Sequence, residues 1–371
     1  MTNDSTELST SCGVRQGGSE SPCLYNLFAD YMMREYEHLA ENAGIGVKIS
    51  FRMHNNVRGG RGAKDYRGES TITWLGYADD LVLVGATKEE LQTAASIIEA
   101  LLKKYGLYLS VSKTKTMVFD SVDDEPIKSF VEMQGDPIEN VDTFKYLGAF
   151  KTTSQPGISD KEIDYRLALA RGKFAQMRKI LTNMRINMST RLRFFEVYVR
   201  SRLVYCAETW APSKAQIDRV EAGQMKMLRE MVRGGTAHRT TRARIKELKK
   251  AASDATSDDE SERFLAQIDY GMKNSNADIY SITKAMPITE YVERQKAKWI
   301  AHLCRMSNST YGKQLLFCTN RTHKGGNSAQ TVYEQVLRQQ NESGRSEDTF
   351  LRICLNRDEP LVSSVRKRNR K

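Results

Sequence analysis

Thr71-Ile72-Thr73-Trp74-Leu75-Gly76-Tyr77-Ala78-Asp79-Asp80-Leu81-Val82-Leu83-Val84 holds two short apolar runs split by a pair of acids. The runs, Thr71 to Tyr77 and Leu81 to Val84, are rich in strand formers, and the polar break between them predicts a hairpin. Two adjacent carboxylates within a strand repel each other and lower its propensity. At a tight turn they are tolerated, and there they can hold divalent cations. Magnesium prefers one or two carboxylates, with phosphate oxygens and water completing its octahedron. A pair of such ions activates a hydroxyl and stabilises a leaving phosphate group. An Asp-Asp turn without chemistry has the same local pattern.

Outward from this hairpin, helical and strand signals alternate. Pro22 opens a helix to about Asn42, with Leu24, Leu27, Phe28, Tyr31 and Tyr36 as its apolar face. Val47 to Phe51 reads as a strand, and the basic, glycine-rich stretch from Arg52 to Gly68 as a loop or loose hairpin. Lys88 to Tyr105 is an amphipathic helix with Thr87 as N-cap and Gly106 as stop. Leu107 to Phe119 alternates as a strand, and Val141 to Phe150 carries another. Helices between antiparallel strands predict an α+β fold with helices packed on one face of the sheet.

From Ser159 to Gly234 the chain becomes helical and basic. Ser159-x-x-Glu162 is a capping box for a helix to about Ile186. Leu167, Ala170, Phe174, Met177, Leu181 and Met184 form its packed face. Arg171, Arg178 and Arg185 recur every seven residues and make a basic stripe. A second helix spans about Ser189 to Trp210, and Ser213-x-x-Gln216 opens a third. The arginines either keep these helices solvated or track phosphates, and their periodicity with few acids favours phosphates. Beyond Gly234-Gly235 a linker near 251–262 reads as disordered, a helix centres on Tyr291 to Met306, and 365–371 is a basic tail. Three regions result: 1–150, 151–235 and 236–371.

A net charge of +11 and a pI near 9.2 point to an anionic partner, nucleic acid first. No stretch is apolar enough for a membrane span and no signal peptide opens the chain, so an intracellular protein, cytoplasmic or nuclear, is expected. Six scattered cysteines predict free thiols, and Cys304, Cys318 and His323 fit no zinc spacing.

Four blocks in order resemble LINE-type (non-LTR retrotransposon) reverse transcriptases. Tyr77-Ala78-Asp79-Asp80 resembles their YADD motif. Gly13-Val14-Arg15-Gln16-Gly17, followed by Ser21-Pro22 and Asn26, resembles the preceding block. Gly106-Leu107 through Ser112-Lys113-Thr114-Lys115 resembles the following one, and Phe144-Lys145-Tyr146-Leu147-Gly148 the primer-grip hairpin. Tyr205 to Trp210 and Arg294 to Met306 resemble later segments.

The resemblance implies a partial palm, then an all-α thumb bundle and a loosely helical C-terminal region. Asp79 and Asp80 would hold Mg2+ and act in catalysis, with Lys113 (or, as runner-up, Lys115) near the nucleotide phosphates. Arg15, Gln16 and Gly17 would meet template and incoming deoxynucleotide. Tyr146, Leu147 and Gly148 would steady the primer end. Arg171, Arg178 and Arg185 would follow the backbone of an RNA–DNA hybrid on an RNA template.

Two departures stand out. Gly18-Ser19-Glu20 replaces a Cys-Pro-Leu-like stretch. The family's third carboxylate comes from a strand upstream of the GVRQG block, whereas twelve residues precede Gly13 and their only acids are Asp4 and Glu7. A truncated polymerase part, inactive alone, is therefore expected; the alternative is a non-catalytic nucleic-acid-binding remnant of a decayed element.

Overall fold

The computed structural model describes residues 13–15, 17–53, 66–119, 129–153, 158–233, 249–254, 257–258 and 275–318. Gln16, half of the 251–262 linker (255–256 and 259–262), His323 and the 365–371 tail lie outside the described residues, and 251–253 are helical rather than disordered. What is described forms two compact units. The first contains residues up to Asp142 plus a late segment from Ser309, and the second runs from Thr143 to Asn308. The hairpin containing Tyr146 thus goes with the helical unit, a little before the boundary at 150 read from the sequence.

In the first unit, α1 (Ser21–Asn42) and α2 (Lys88–Lys104) pack together over one apolar core. Met32, Met33, Tyr36 and Ala40 of α1 meet Ala94, Ala95, Ile98 and Leu101 of α2. The sequence signals for α2 match the structure, since the Thr87 side chain accepts from the Glu90 amide and Gly106 follows with φ +70°. The apolar face expected on α1 is corrected. Leu24, Leu27, Phe28 and Tyr31 are exposed, and of the expected face Tyr36 alone is buried. Periodicity locates apolar residues but not what lies opposite them. Phe28 and Tyr31 instead meet the Tyr105 ring edge-on.

The strands make four separate two-stranded antiparallel sheets rather than one sheet covered on one face. β1 (Val47–Met53) pairs with β2 (Tyr66–Ile72), β3 (Trp74–Tyr77) with β4 (Asp80–Leu83), and β5 (Val131–Met133) with β6 (Asp136–Ile138). In the second unit β7 (Thr143–Tyr146) pairs with β8 (Ala149–Thr152). The strand expected over Leu107 to Phe119 is absent; Val111–Lys113 winds a 3₁₀ turn instead. The Ser110 carbonyl accepts from the Lys113 and Thr114 amides and from the Thr114 hydroxyl. Local bonds of this kind compete with a ladder.

The first unit is completed from far along the chain. A short helix, Tyr311–Leu316, packs on β1, and the Arg52 amide donates to the Phe317 carbonyl at 3.1 Å. Nothing in the sequence pattern announces that return.

In the second unit α3 (Asp160–Leu181), α4 (Met188–Phe194), α5 (Ser201–Leu203), α6 (Lys214–Val232), α7 (Asn276–Thr283) and α8 (Ile288–Arg305) surround a core including Leu167, Phe174, Phe195, Leu203, Met225 and Leu228. α3 stops at Leu181 rather than near Ile186. The second helix expected to reach Trp210 stops at Leu203: Val204 leaves helical geometry at φ −117° and ψ 31°, and Cys206 then takes a left-handed φ of +57°. The α6 capping box at Ser213 and Gln216 is present. Arg191 is buried: it donates to Leu181 O at 3.3 Å and Met231 O at 2.7 Å, so one guanidinium covers the C-terminal carbonyls of α3 and α6. Arg200, also buried, donates to the Glu196 and Gln224 side chains.

Lys296 on α8 is buried, and desolvation, only partly opposed by Glu293, brings its ammonium down to about 8 from 10.5. The folded state therefore binds this proton less tightly than the unfolded chain. Stability should rise as pH goes from about 8 towards 10.5, by at most about 1.4 kcal/mol per pH unit for one proton. Denaturant titrations across that window check this. Lys296→Met should flatten the slope and stabilise the second unit at neutral pH, and an unchanged slope would assign it elsewhere.

Candidate functional site

The β3–β4 hairpin closes with Tyr77 opposite Asp80, leaving Ala78 and Asp79 as its turn. Ala78 takes φ +53°, a left-handed conformation that costs an alanine roughly 1–2 kcal/mol. Trp74, Leu81 and Leu83 anchor the strands against the core, while Tyr77, Ala78, Asp79 and Asp80 are exposed. Gly76 is required by packing, since a Cβ there would stand 2.9 Å from the Trp74 ring. Neither acid makes a hydrogen bond or ion pair with another described residue. No group of three or more His, Cys, Asp or Glu able to hold a metal occurs among the described residues.

Tyr25 of α1 reaches this turn, its hydroxyl donating to Ala78 O at 3.4 Å. Burial first, and the Asp79 charge second, raise its phenol above the ordinary 10.0. The sequence reading missed Tyr25, because it sits off the expected apolar face and its partner is a backbone carbonyl. In the block before α1, Gly13 and Gly17 have φ of +95° and +83°, and the Arg15 carbonyl accepts from Gly18 N and Ser21 Oγ. The departure at Gly18-Ser19-Glu20 leaves α1 without a side-chain cap, started by Pro22 near its first position. Arg15 itself is exposed.

The two lysines of the following block differ. Lys115 forms an ion pair with Glu139 at 2.8 Å. Lys113 is exposed, with no side-chain partner among the described residues, which leaves it the freer of the two to meet an anion.

In the second unit the β7–β8 turn is Leu147-Gly148, with φ of +47° and +80°. Two positive φ values fit the tight turn that matches strand twist, though leucine is an unusual first residue for it. Tyr205 Oη donates to Leu147 O at 3.0 Å, and Arg166 Nη2 to Gly148 O at 2.6 Å. Lys145 Nζ donates to Tyr165 Oη at 2.8 Å. Tyr205 stood out in the sequence only as the start of the Tyr205 to Trp210 segment, and Arg166 not at all; a buried arginine looks like any other there.

The expected arginine stripe does not form on one helix. Arg171 is exposed on α3, Arg178 is paired with Glu230 of α6 at 2.7 Å, and Arg185 lies beyond the helix end. The seven-residue repeat assumed a helix longer than the one present. Cys23 and Cys206 are free thiols. Among the described residues, no helix is long and apolar enough to cross a membrane.

Residues 1–150 match the profile of the family described as reverse transcriptase (RNA-dependent DNA polymerase). Over 152 residues the chain is 30% identical to a retrovirus-related Pol polyprotein from the type-1 retrotransposable element R2 of Nasonia vitripennis. That alignment takes in 39% of this chain and 13% of the relative's length. No solved structure matches.

The contact between Tyr25 and the acidic turn is open to measurement. Asp79→Asn removes one negative charge near the phenol, so the Tyr25 pKa should fall towards 10.0 yet stay above it, burial being the larger cause. Tyrosine-labelled NMR titration reads this directly; no movement would place Asp79 away from Tyr25.

Proposed function

We propose that the chain is part of an RNA-directed DNA polymerase of a LINE-type retrotransposon, a reading supported by the match of residues 1–150 to the reverse-transcriptase family and by the similarity to the R2 polyprotein. The observation that carries the reading is the exposed Asp79-Asp80 pair at the tip of a hairpin anchored by its strands and by Tyr25. Two carboxylates without competing cations suit Mg2+, which takes most of its remaining ligands from water and phosphate. Asp79 and Asp80 would hold it, and when bound it would supply charge neutralisation to the phosphates and acidify a hydroxyl.

The chain's own groups have separable roles in this reading. Lys113 offers a positive charge to nucleotide phosphates. Arg15 and Gly17, with Gln16, form the template and deoxynucleotide contact, where a backbone held at positive φ can approach a nucleotide closely. The Tyr146-Leu147-Gly148 turn serves as primer grip. The helical second unit acts as the thumb, with Arg171 the most available of the three arginines for a hybrid's backbone. Grip by shape and phosphate suits an A-form-like RNA–DNA hybrid. An intracellular location with access to RNA belongs to the same proposal.

Nucleotidyl transfer in this family uses a third carboxylate, and none joins Asp79 and Asp80 among the described residues. The 371-residue chain alone should leave a DNA primer on an RNA template unextended, given Mg2+ and deoxynucleotides. Extension that disappears in Asp79→Ala would overturn the inactivity while supporting the site. The net charge of +11 favours a second reading, nucleic-acid binding without catalysis.

Binding should be salt-sensitive, with the slope of log affinity against log salt reporting the phosphates neutralised. Arg171→Gln should reduce that slope by about one, and Arg178→Gln by less, because Glu230 already engages it. Equal slopes in wild type and Arg171→Gln would remove Arg171 from the interface.

A further inference from the structure

The Leu147-Gly148 turn is held by side chains from outside its own hairpin. β7 and β8 are short and pair only with each other, and an isolated two-stranded hairpin is marginal in water. Its tip is strained by Leu147 at φ +47°. Both tip carbonyls are taken by side chains of other elements, Leu147 O by Tyr205 and Gly148 O by Arg166.

The anchoring goes one layer deeper. Glu162 lies three residues after the Ser159 N-cap, and the Ser159 hydroxyl accepts from its amide. In a capping box its carboxylate would turn back to the N-cap amide. Here Glu162 Oε2 instead accepts from the Phe150 amide of β8 at 2.8 Å, and Oε1 accepts from Arg166 Nε. Both side chains are buried, at 3% and 5% exposure. The Arg166 guanidinium also lies over the Tyr205 ring at 4.5 Å, so the two anchors of the turn brace each other. A Cβ on Gly148 would stand 3.6 Å from that ring, in ordinary contact, so the constraint on this glycine is its φ of +80°.

We infer that Glu162, Arg166 and Tyr205 are positioning residues that fix the Leu147-Gly148 tip for contact with a nucleic-acid 3′ end. The inference rests on the primer-grip reading and adds to it the side chains that set its geometry. Glu162 registers β8 against α3, Arg166 carries that register to Gly148, and Tyr205 ties Leu147. With both tip carbonyls occupied, the turn meets a ligand in one fixed orientation.

The test uses the full chain and a fluorescent RNA–DNA hybrid with a recessed DNA 3′ end, beside a longer hybrid without one. Tyr205→Phe keeps the ring and removes the hydroxyl that donates to Leu147. Arg166→Lys keeps the charge but loses the fork that reaches Glu162 and Gly148 together. The wild type should prefer the recessed end, and each variant should bind it about tenfold more weakly while the uninterrupted hybrid is held unchanged. The Phe150 amide resonance of phenylalanine-labelled protein, bonded to Glu162, should move in Arg166→Lys with the rest of the spectrum retained.

If the preference survives in both variants although that resonance has moved, the positioning role is wrong and the primer-grip reading stands. If the wild type shows no preference, the primer-grip reading falls and takes the inference with it. Should Arg166→Lys fail to fold, Tyr205→Phe decides alone.

Discussion

The buried carboxylate of Glu162 ties α3 to the β7–β8 hairpin in the second unit. The Glu162 backbone amide donates to the Ser159 N-cap at the start of α3, while the carboxylate holds β8 through the Phe150 amide and fixes the guanidinium of Arg166. A buried ion pair of this kind is weak support for stability as such, because desolvating both charges costs about as much as their attraction returns. Removing one partner is a different matter, typically about 3–5 kcal/mol, since the other charge is left buried and uncompensated. The pair therefore makes alternative arrangements expensive. The short β7–β8 hairpin, unable to hold its own shape, takes its geometry from that penalty.

The acidic hairpin of the first unit is built on the opposite principle. Asp79 and Asp80 are exposed and adjacent, and water screens their repulsion. The structure's contribution is indirect: Trp74, Leu81 and Leu83 pack the strands against the core, and Tyr25 bonds the turn's backbone rather than its acids. The alanine at φ +53° adds local strain that those anchors must offset. Residues that oppose local stability yet are held firmly in place are the pattern expected where a site answers to chemistry and not to folding.

Sequence patterns revealed the elements whose signals are local. The Thr87 cap, the Gly106 stop, the Ser213–Gln216 capping box and the Asp79-Asp80 turn each depend on a few neighbouring residues, and each is present. What sequence could not reveal is set by distant partners. Leu24 and Tyr31 looked like a core face because only periodicity was visible, while the partner helix lies opposite Met33 and Tyr36. Ser110 and Thr114 diverted an alternating stretch from strand to turn. Tyr25, Arg166 and Tyr205 matter through backbone carbonyls far along the chain, and a carbonyl leaves no trace in the sequence.

The arginines show why charge composition and surface charge must be kept apart. Arg166, Arg191 and Arg200 all count towards the net +11, yet all three are buried and occupied within the second unit. Arg166 serves a turn, Arg191 two helix ends, and Arg200 a side-chain cluster. Arg178 is held by Glu230 and so offers an incoming phosphate less than its formal charge. A phosphate backbone responds to the field outside the protein, where internally compensated cations add little. In the proposed function the contact with a phosphate backbone therefore falls to exposed cations such as Arg171, and a count of basic residues along the helices overstates the charge they offer. Periodicity alone cannot separate the two populations, because a buried arginine and a phosphate-facing one recur with the same spacing.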